Sequence, residues 1–135
     1  MRKLPITILF FMICALFLST SIAAEKNSKK PIQNIKRGGD IEQCKAKGVK
    51  DRILLVTSAY CPHCKKVKPI IEKIIVDKGL EANYENIEVS SKEGGERMEY
   101  YGLSVQFVPT LIANCKAYVS GKKPDEYEKI IDGGM

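Results

Sequence analysis

The sequence predicts an α/β domain in which helices flank a mixed central sheet. Ile53-Leu54-Leu55-Val56 is an unbroken apolar run, as expected of a strand buried on both faces. Val67, Ile70, Ile71, Ile74 and Ile75 follow at the spacing of one helix face. Ile87 and Val89 then flank Glu88 in a second strand pattern, so strand–helix–strand implies a parallel pair with a right-handed crossover. Towards the C-terminus, two short apolar runs around Cys115-Lys116 read as an antiparallel hairpin, which makes the sheet mixed.

The chain has 135 residues, enough for one small domain. Its first residues read as a targeting segment. Arg2 and Lys3 precede an uncharged apolar run from Ile6 to Leu18, and Ser19 to Ala24 supplies small residues for cleavage after Ala23 or Ala24. The run is short for a bilayer span, which needs about 20 apolar residues. Residues 1–24 are therefore expected to be a signal peptide, and the protein to be periplasmic or secreted. An uncleaved anchor would leave the domain on the same side of the membrane.

Residues 25–39 are polar and lysine-rich and close on Gly38-Gly39, which suits a flexible leader. The folded domain is placed at 40–135. Asp40 is expected to cap a short helix through Ala46 or Lys47, stopped by Gly48. The strand at Ile53 comes next, then a helix from Pro62 that Gly79 ends. A strand covers Tyr84 to Val89, and a helix runs from about Glu93 to Tyr101, although Gly94 and Gly95 open it. The hairpin pairs Thr110–Asn114 with Ala117–Val119, and Pro124 to Ile131 closes the domain as a helix with proline in its first turn.

The net charge of +6 falls by two once Arg2 and Lys3 are removed. The remaining lysines are scattered rather than aligned with aromatics, which argues for a solvated surface and against nucleic acid. No dimerisation segment is visible, so a monomer is expected. Removal of the signal also removes Cys14, leaving Cys44, Cys61, Cys64 and Cys115, an even number suited to an oxidising compartment.

The chemistry concentrates in Tyr60-Cys61-Pro62-His63-Cys64, where two cysteines enclose a proline and the chain's one histidine. Such a pair can be a redox dithiol, half of a zinc site or a copper clamp. Three features in register resemble the thioredoxin superfamily: the buried strand running into an aromatic and this C-x-x-C motif, Pro69 five residues after Cys64, and Val105-Gln106-Phe107-Val108-Pro109-Thr110. The last is similar to the family's apolar-Pro-Thr loop. The resemblance spans roughly Ile53 to Ile131 and implies a thioredoxin-like three-layer fold. The Pro-His pair inside the motif is similar to that of bacterial periplasmic disulfide oxidases of the Dsb type. The chain departs from those oxidases in having no large helical insertion. Leu55 stands where many thioredoxins bury an acid, and Tyr60 stands in place of tryptophan.

Thiol–disulfide exchange needs an attacking thiolate and a second thiol that resolves the mixed disulfide. Cys61 is expected at the helix N-terminus, where unpaired N–H groups and the macrodipole lower a thiol's pKa below the free value of about 8.5. Pro62 suits the first helical position because it has no N–H to leave unpaired. His63, when protonated, would add positive charge near the sulfur. Cys64, one turn in, would be the shielded resolving thiol. By the resemblance, Pro109 forms a cis peptide facing the dithiol, and Val108, Pro109 and Thr110 form the platform on which a substrate peptide pairs as an added strand.

Cys44 and Cys115 are both placed at the pole away from the dithiol, and a structural disulfide between them is expected; an exposed Cys115 thiol is the other possibility. The reading that follows is a thiol–disulfide oxidoreductase without cofactor. It would act on cysteine-containing protein substrates and be reset by a membrane redox partner. Direction stays open: the Pro-His motif favours an oxidant, the small size a client-specific reductase. The competing class is a copper- or zinc-binding module. Zinc would require all four cysteines to converge, and no methionine cluster or second histidine supports copper.

Overall fold

The computed structural model describes residues 32–36, 38–42, 44, 48–119 and 121–133. The expected signal peptide, 1–24, and the leader as far as residue 31 lie outside the described residues. The described elements are β1 (Gln33–Ile35), β2 (Gly39–Asp40), β3 (Ile53–Thr57), α1 (Pro62–Asp77), β4 (Tyr84–Glu88), α2 (Lys92–Tyr101), β5 (Leu103–Val105), β6 (Thr110–Ala113), β7 (Lys116–Val119) and α3 (Pro124–Ile131). A turn of 3₁₀-helix, Glu81–Asn83, precedes β4.

The main sheet has the order β2-β7-β6-β3-β4. β3 is parallel to β4, with Val56 opposite Ile87, and antiparallel to β6, with Val56 opposite Thr110. β6 and β7 form the expected hairpin. Every residue of β3 is buried, so its side chains feed both layers. Leu54 and Val56 join Ile87, Met98, Tyr101 and Ile112 on one face, under α2. Ile53 and Leu55 join Ile71, Ile75, Leu111, Tyr127 and Ile130 on the other, under α1 and α3. That alternation is the pleat of a central strand, and it yields the expected three layers.

Two sequence expectations are corrected at the N-terminal side. The leader was expected to run to residue 39, yet Gln33–Ile35 pairs in parallel with β5 and Ile35 is buried. The second correction is at Asp40. With Gly39 it extends the main sheet by pairing with β7, and the described residues after it, Ile41, Glu42 and Cys44, are not helical. Residues 43 and 45–47 of the expected helix lie outside the described residues. Both segments are too short for a periodic signal, and their partners sit far along the chain, at Leu103–Val105 and Lys116–Ala117.

α2 begins at Lys92 despite its two glycines, and the packing explains one of them. A Cβ on Gly94 would run into the Glu88 carbonyl, whereas one on Gly95 would meet nothing within 4 Å. Gly94 thus lets the first turn of α2 lie directly on the end of β4. Ser91 caps that turn, its hydroxyl accepting from the Gly94 N–H at 2.9 Å and donating to the Glu88 carbonyl at 2.9 Å. Further along, Arg97 grips Glu85 of β4 through two bonds of 2.5 and 2.7 Å, and the Tyr101 hydroxyl donates to the same carboxylate at 2.7 Å.

Candidate active site

β3 delivers the chain to the dithiol at the sheet's C-terminal edge. Ser58, Ala59 and Tyr60 cross from Thr57 to the start of α1, and Cys61 is the N-cap of that helix. A cap residue has extended backbone and accepts an orphan N–H of the first turn. Cys61 does so with sulfur: its Sγ accepts from the Cys64 N–H at 3.1 Å. Pro62 occupies the first helical turn, where no acidic residue follows. The two cysteines are bridged, with Cα atoms 5.3 Å apart. They differ sharply in access: Cys61 is half-buried, while Cys64 is 3% exposed.

The second loop closes over the pair. The Val108–Pro109 peptide is cis, and the Val108 carbonyl oxygen lies 3.7 Å from Cys61 Sγ. Thr110 is wholly buried and its hydroxyl donates to the Phe107 carbonyl at 2.7 Å, which ties the loop to the head of β6. Pro109 is buried beside it. Tyr60 is 89% exposed and Phe107 49%, one aromatic from each loop. His63 points into solvent, as does Pro62. The structure therefore brings Cys61, Cys64, Val108, Pro109 and Thr110 together, with Tyr60, Pro62 and His63 on the rim.

Two residues that sequence reasoning missed hold the first loop. Glu88, at the end of β4, accepts from the Ala59 N–H at 3.0 Å and the Ser90 N–H at 2.9 Å. The Ser90 hydroxyl also donates to that carboxylate, while its oxygen accepts from the Ala59 N–H at 3.1 Å. These donors, the Ser90 hydroxyl foremost, hold the Glu88 carboxyl below the usual carboxylate range. A cleft of about 150 Å³ opens between this loop and α1, lined by Thr57, Cys64, Lys65, Lys68, Asn86 and Glu88. The signal that could have found Glu88 is positional: it is the last residue of the strand parallel to β3 and so lies at the same pole.

Cys44 and Cys115 are bridged, with Cα atoms 5.5 Å apart, although the residues are 71 positions apart in sequence. They sit at the opposite pole, since β6 runs from Thr110 near the dithiol to Ala113 just before Cys115. The four described cysteines thus fall into two separate pairs. Among the described residues no group of three or more histidine, cysteine or acidic side chains is placed to hold a metal ion. Nor is any helix among them long and apolar enough to cross a membrane.

Residues 52–132 match the family described as thioredoxin domain. A curated protein of Archaeoglobus fulgidus, described as a probable thioredoxin, is 34% identical over 74 residues, which is 55% of this chain and 76% of the relative. The family match includes the strand, the dithiol helix and the hairpin on which the site is built.

Proposed function

The chain belongs to the thioredoxin-domain family, and from that premise we propose that it exchanges disulfides with cysteine-containing proteins outside the cytoplasm. The supporting observation is the asymmetry of the dithiol. One sulfur caps a helix N-terminus at the surface, and its partner is 3% exposed one turn inside. A thiolate at Cys61 would be stabilised by the Cys64 N–H and by the helix dipole. Cys64 is shielded from competing disulfides and acts only from within.

The electrons balance through two displacements. The Cys61 thiolate attacks one sulfur of a client disulfide; the client S–S bond breaks, a Cys61–client bond forms, and the second client sulfur leaves as a thiolate that takes up a proton. Cys64 then loses its proton and attacks Cys61 Sγ. The mixed disulfide breaks, the first client sulfur leaves and is protonated, and two electrons have passed to the client. Run backwards, the same steps oxidise a client dithiol. The Phe107–Thr110 loop would receive the client backbone as an added strand beside Val108.

The location rests on the N-terminal pattern of Arg2, Lys3 and the apolar run from Ile6 to Leu18. In that compartment the protein works as a monomer, and a membrane partner returns the dithiol to its starting state. Two variants test the chemistry. Cys61→Ser should lose exchange with a protein disulfide, and Cys64→Ser should stall as a mixed disulfide visible by intact mass. Undiminished exchange in Cys61→Ser overturns the reading. Equilibration of the Cys61–Cys64 couple with glutathione sets the direction, and the mass of the exported chain tests cleavage after Ala23 or Ala24.

A further inference from the structure

We propose that this surface selects client segments whose reacting cysteine lies in an extended, acidic stretch. The proposal deepens the redox reading of Cys61 and rests on it. Three observations converge. The first concerns the backbone. Gln106 donates its N–H to the Ile35 carbonyl at 3.1 Å, and Thr110 enters β6, but Phe107, Val108 and Pro109 between them belong to no strand ladder. The Val108 carbonyl faces Cys61 Sγ at 3.7 Å. An extended segment laid along this gap brings its own sulfur to Cys61.

The second observation is the pair of aromatic rings, Tyr60 at 89% and Phe107 at 49% exposure, which offer apolar contact to neighbouring side chains without reading their identity.

The third observation is charge. The opening turns of α1 present His63, Lys65, Lys66 and Lys68, with no acid in the first turn. Lys65 and Lys66 are exposed and take part in no ion pair among the described residues. Lys68 reaches only Glu72, at 3.7 Å with both side chains 44% exposed. Further along α1 and at its end, Lys73 pairs with Asp77, and Lys78 with Glu128 and Asp132. At the dithiol pole Glu88 keeps its negative charge, because the Ser90 and Ala59 groups that donate to it are neutral, and it lines one cleft with Lys65 and Lys68. Glu93, in the first turn of α2 beyond Glu88, is an exposed carboxylate. On the opening turns of α1 itself, Lys65, Lys66 and Lys68 face one acid, Glu72, so the helix that carries Cys61 presents a positive excess that Glu88 offsets only in part. Within a Debye length of about 8–10 Å it attracts carboxylates flanking a client cysteine and repels lysines.

The test uses three synthetic peptides that share one disulfide, flanked by glutamate, glutamine or lysine. Each second-order rate with the full chain is divided by that peptide's rate with dithiothreitol, which removes intrinsic sulfur reactivity. The glutamate peptide should exceed the lysine peptide about tenfold at low ionic strength, and the ratio should shrink towards one at about 0.5 M salt. In Lys65→Glu/Lys66→Glu the ratio should collapse or invert. Normalised rates within twofold of each other at low salt, or a preference that survives the double charge reversal, would overturn the proposal. A glutamine peptide that fails to react through Cys61 at all would sink the redox reading itself.

Discussion

The roles proposed for Cys61 and Cys64 differ because a helix tip and the turn behind it are different places for a sulfur. The tip offers unpaired N–H groups, and the turn behind offers exclusion of solvent. Glu88 belongs to this site although it touches neither sulfur: it fixes Ala59, two residues before Cys61. A loop that loses such a fixed point presents its nucleophile in more orientations, and misplacement by about 1 Å can cost up to about a hundredfold. Glu88→Ala is therefore expected to slow exchange about tenfold with little change in unfolding midpoint. Stopped-flow exchange alongside thermal melts checks both halves. A second residue carries a purely structural prediction. Burial pushes the Tyr84 phenol up, and its hydroxyl has no hydrogen-bond partner among the described residues. Tyr84→Phe removes an unpaired polar atom, so stability should hold or rise by up to about 1 kcal/mol in urea unfolding. A loss of that size would mean the hydroxyl is satisfied after all.

At the scale of elements, the junction of β4 and α2 is where local preference yields to packing. Gly94 and Gly95 look equivalent in sequence, but only Gly94 lies against the Glu88 carbonyl. Gly95→Ala should therefore stabilise the helix by about 0.5–1 kcal/mol, and Gly94→Ala should cost about 1–3 kcal/mol. Equal effects in chemical denaturation would refute that distinction. The same junction carries an acid-sensitive tie. The Arg97 guanidinium beside Glu85, helped by the Tyr101 hydroxyl, holds that carboxyl below its ordinary value of 4.5. A carboxyl depressed in the folded state contributes its stabilisation above the unfolded value and loses it as pH falls through the folded one. Stability should thus decline below about pH 4.5, and the decline should be shallower in Glu85→Gln. The sequence made β3, α1, the hairpin and α3 legible because each holds its own periodic apolar pattern or turn chemistry. The dithiol was legible for the same reason: its chemistry is packed into Cys61 to Cys64. β1, β2, Glu88 and Ser90 were not, because they matter only through partners brought close by folding. Ile35 reads as an isolated apolar residue until Val105 lies beside it.

Across the whole molecule, the Cys61–Cys64 and Cys44–Cys115 disulfides occupy opposite poles, so the exchange proposed at the first need not disturb the tie at the second. The far pole is knotted by several bonds at the β6–β7 turn. Cys115 is bridged to Cys44, its carbonyl accepts from the Ile41 N–H at 2.8 Å, and the Asn114 amide donates to the Ile130 carbonyl at 2.9 Å. That turn also carries a backbone cost. Asn114 and Cys115 have φ of 51° and 63°, the pair of positive values that a two-residue hairpin requires and that favours glycine at its second position. Cysteine there trades ease of turning for the crosslink. Closing a loop whose ends are 71 positions apart should contribute about 4 kcal/mol in the chain-entropy model, a large share of a small domain's stability of about 5–15 kcal/mol. Cys44→Ala/Cys115→Ala should accordingly melt on the order of 20 °C lower. Cys44→Ala/Cys115→Gly should recover about 1 kcal/mol of that loss, because glycine relieves the left-handed backbone. Both variants should still exchange disulfides through Cys61 below their melting points. If the two melted together, the turn would carry no strain for glycine to relieve. If neither lost more than about 1 kcal/mol, the crosslink would be incidental to the fold, and the burial of Ile35, Ile41 and Val49 alone would hold the N-terminal segment in place.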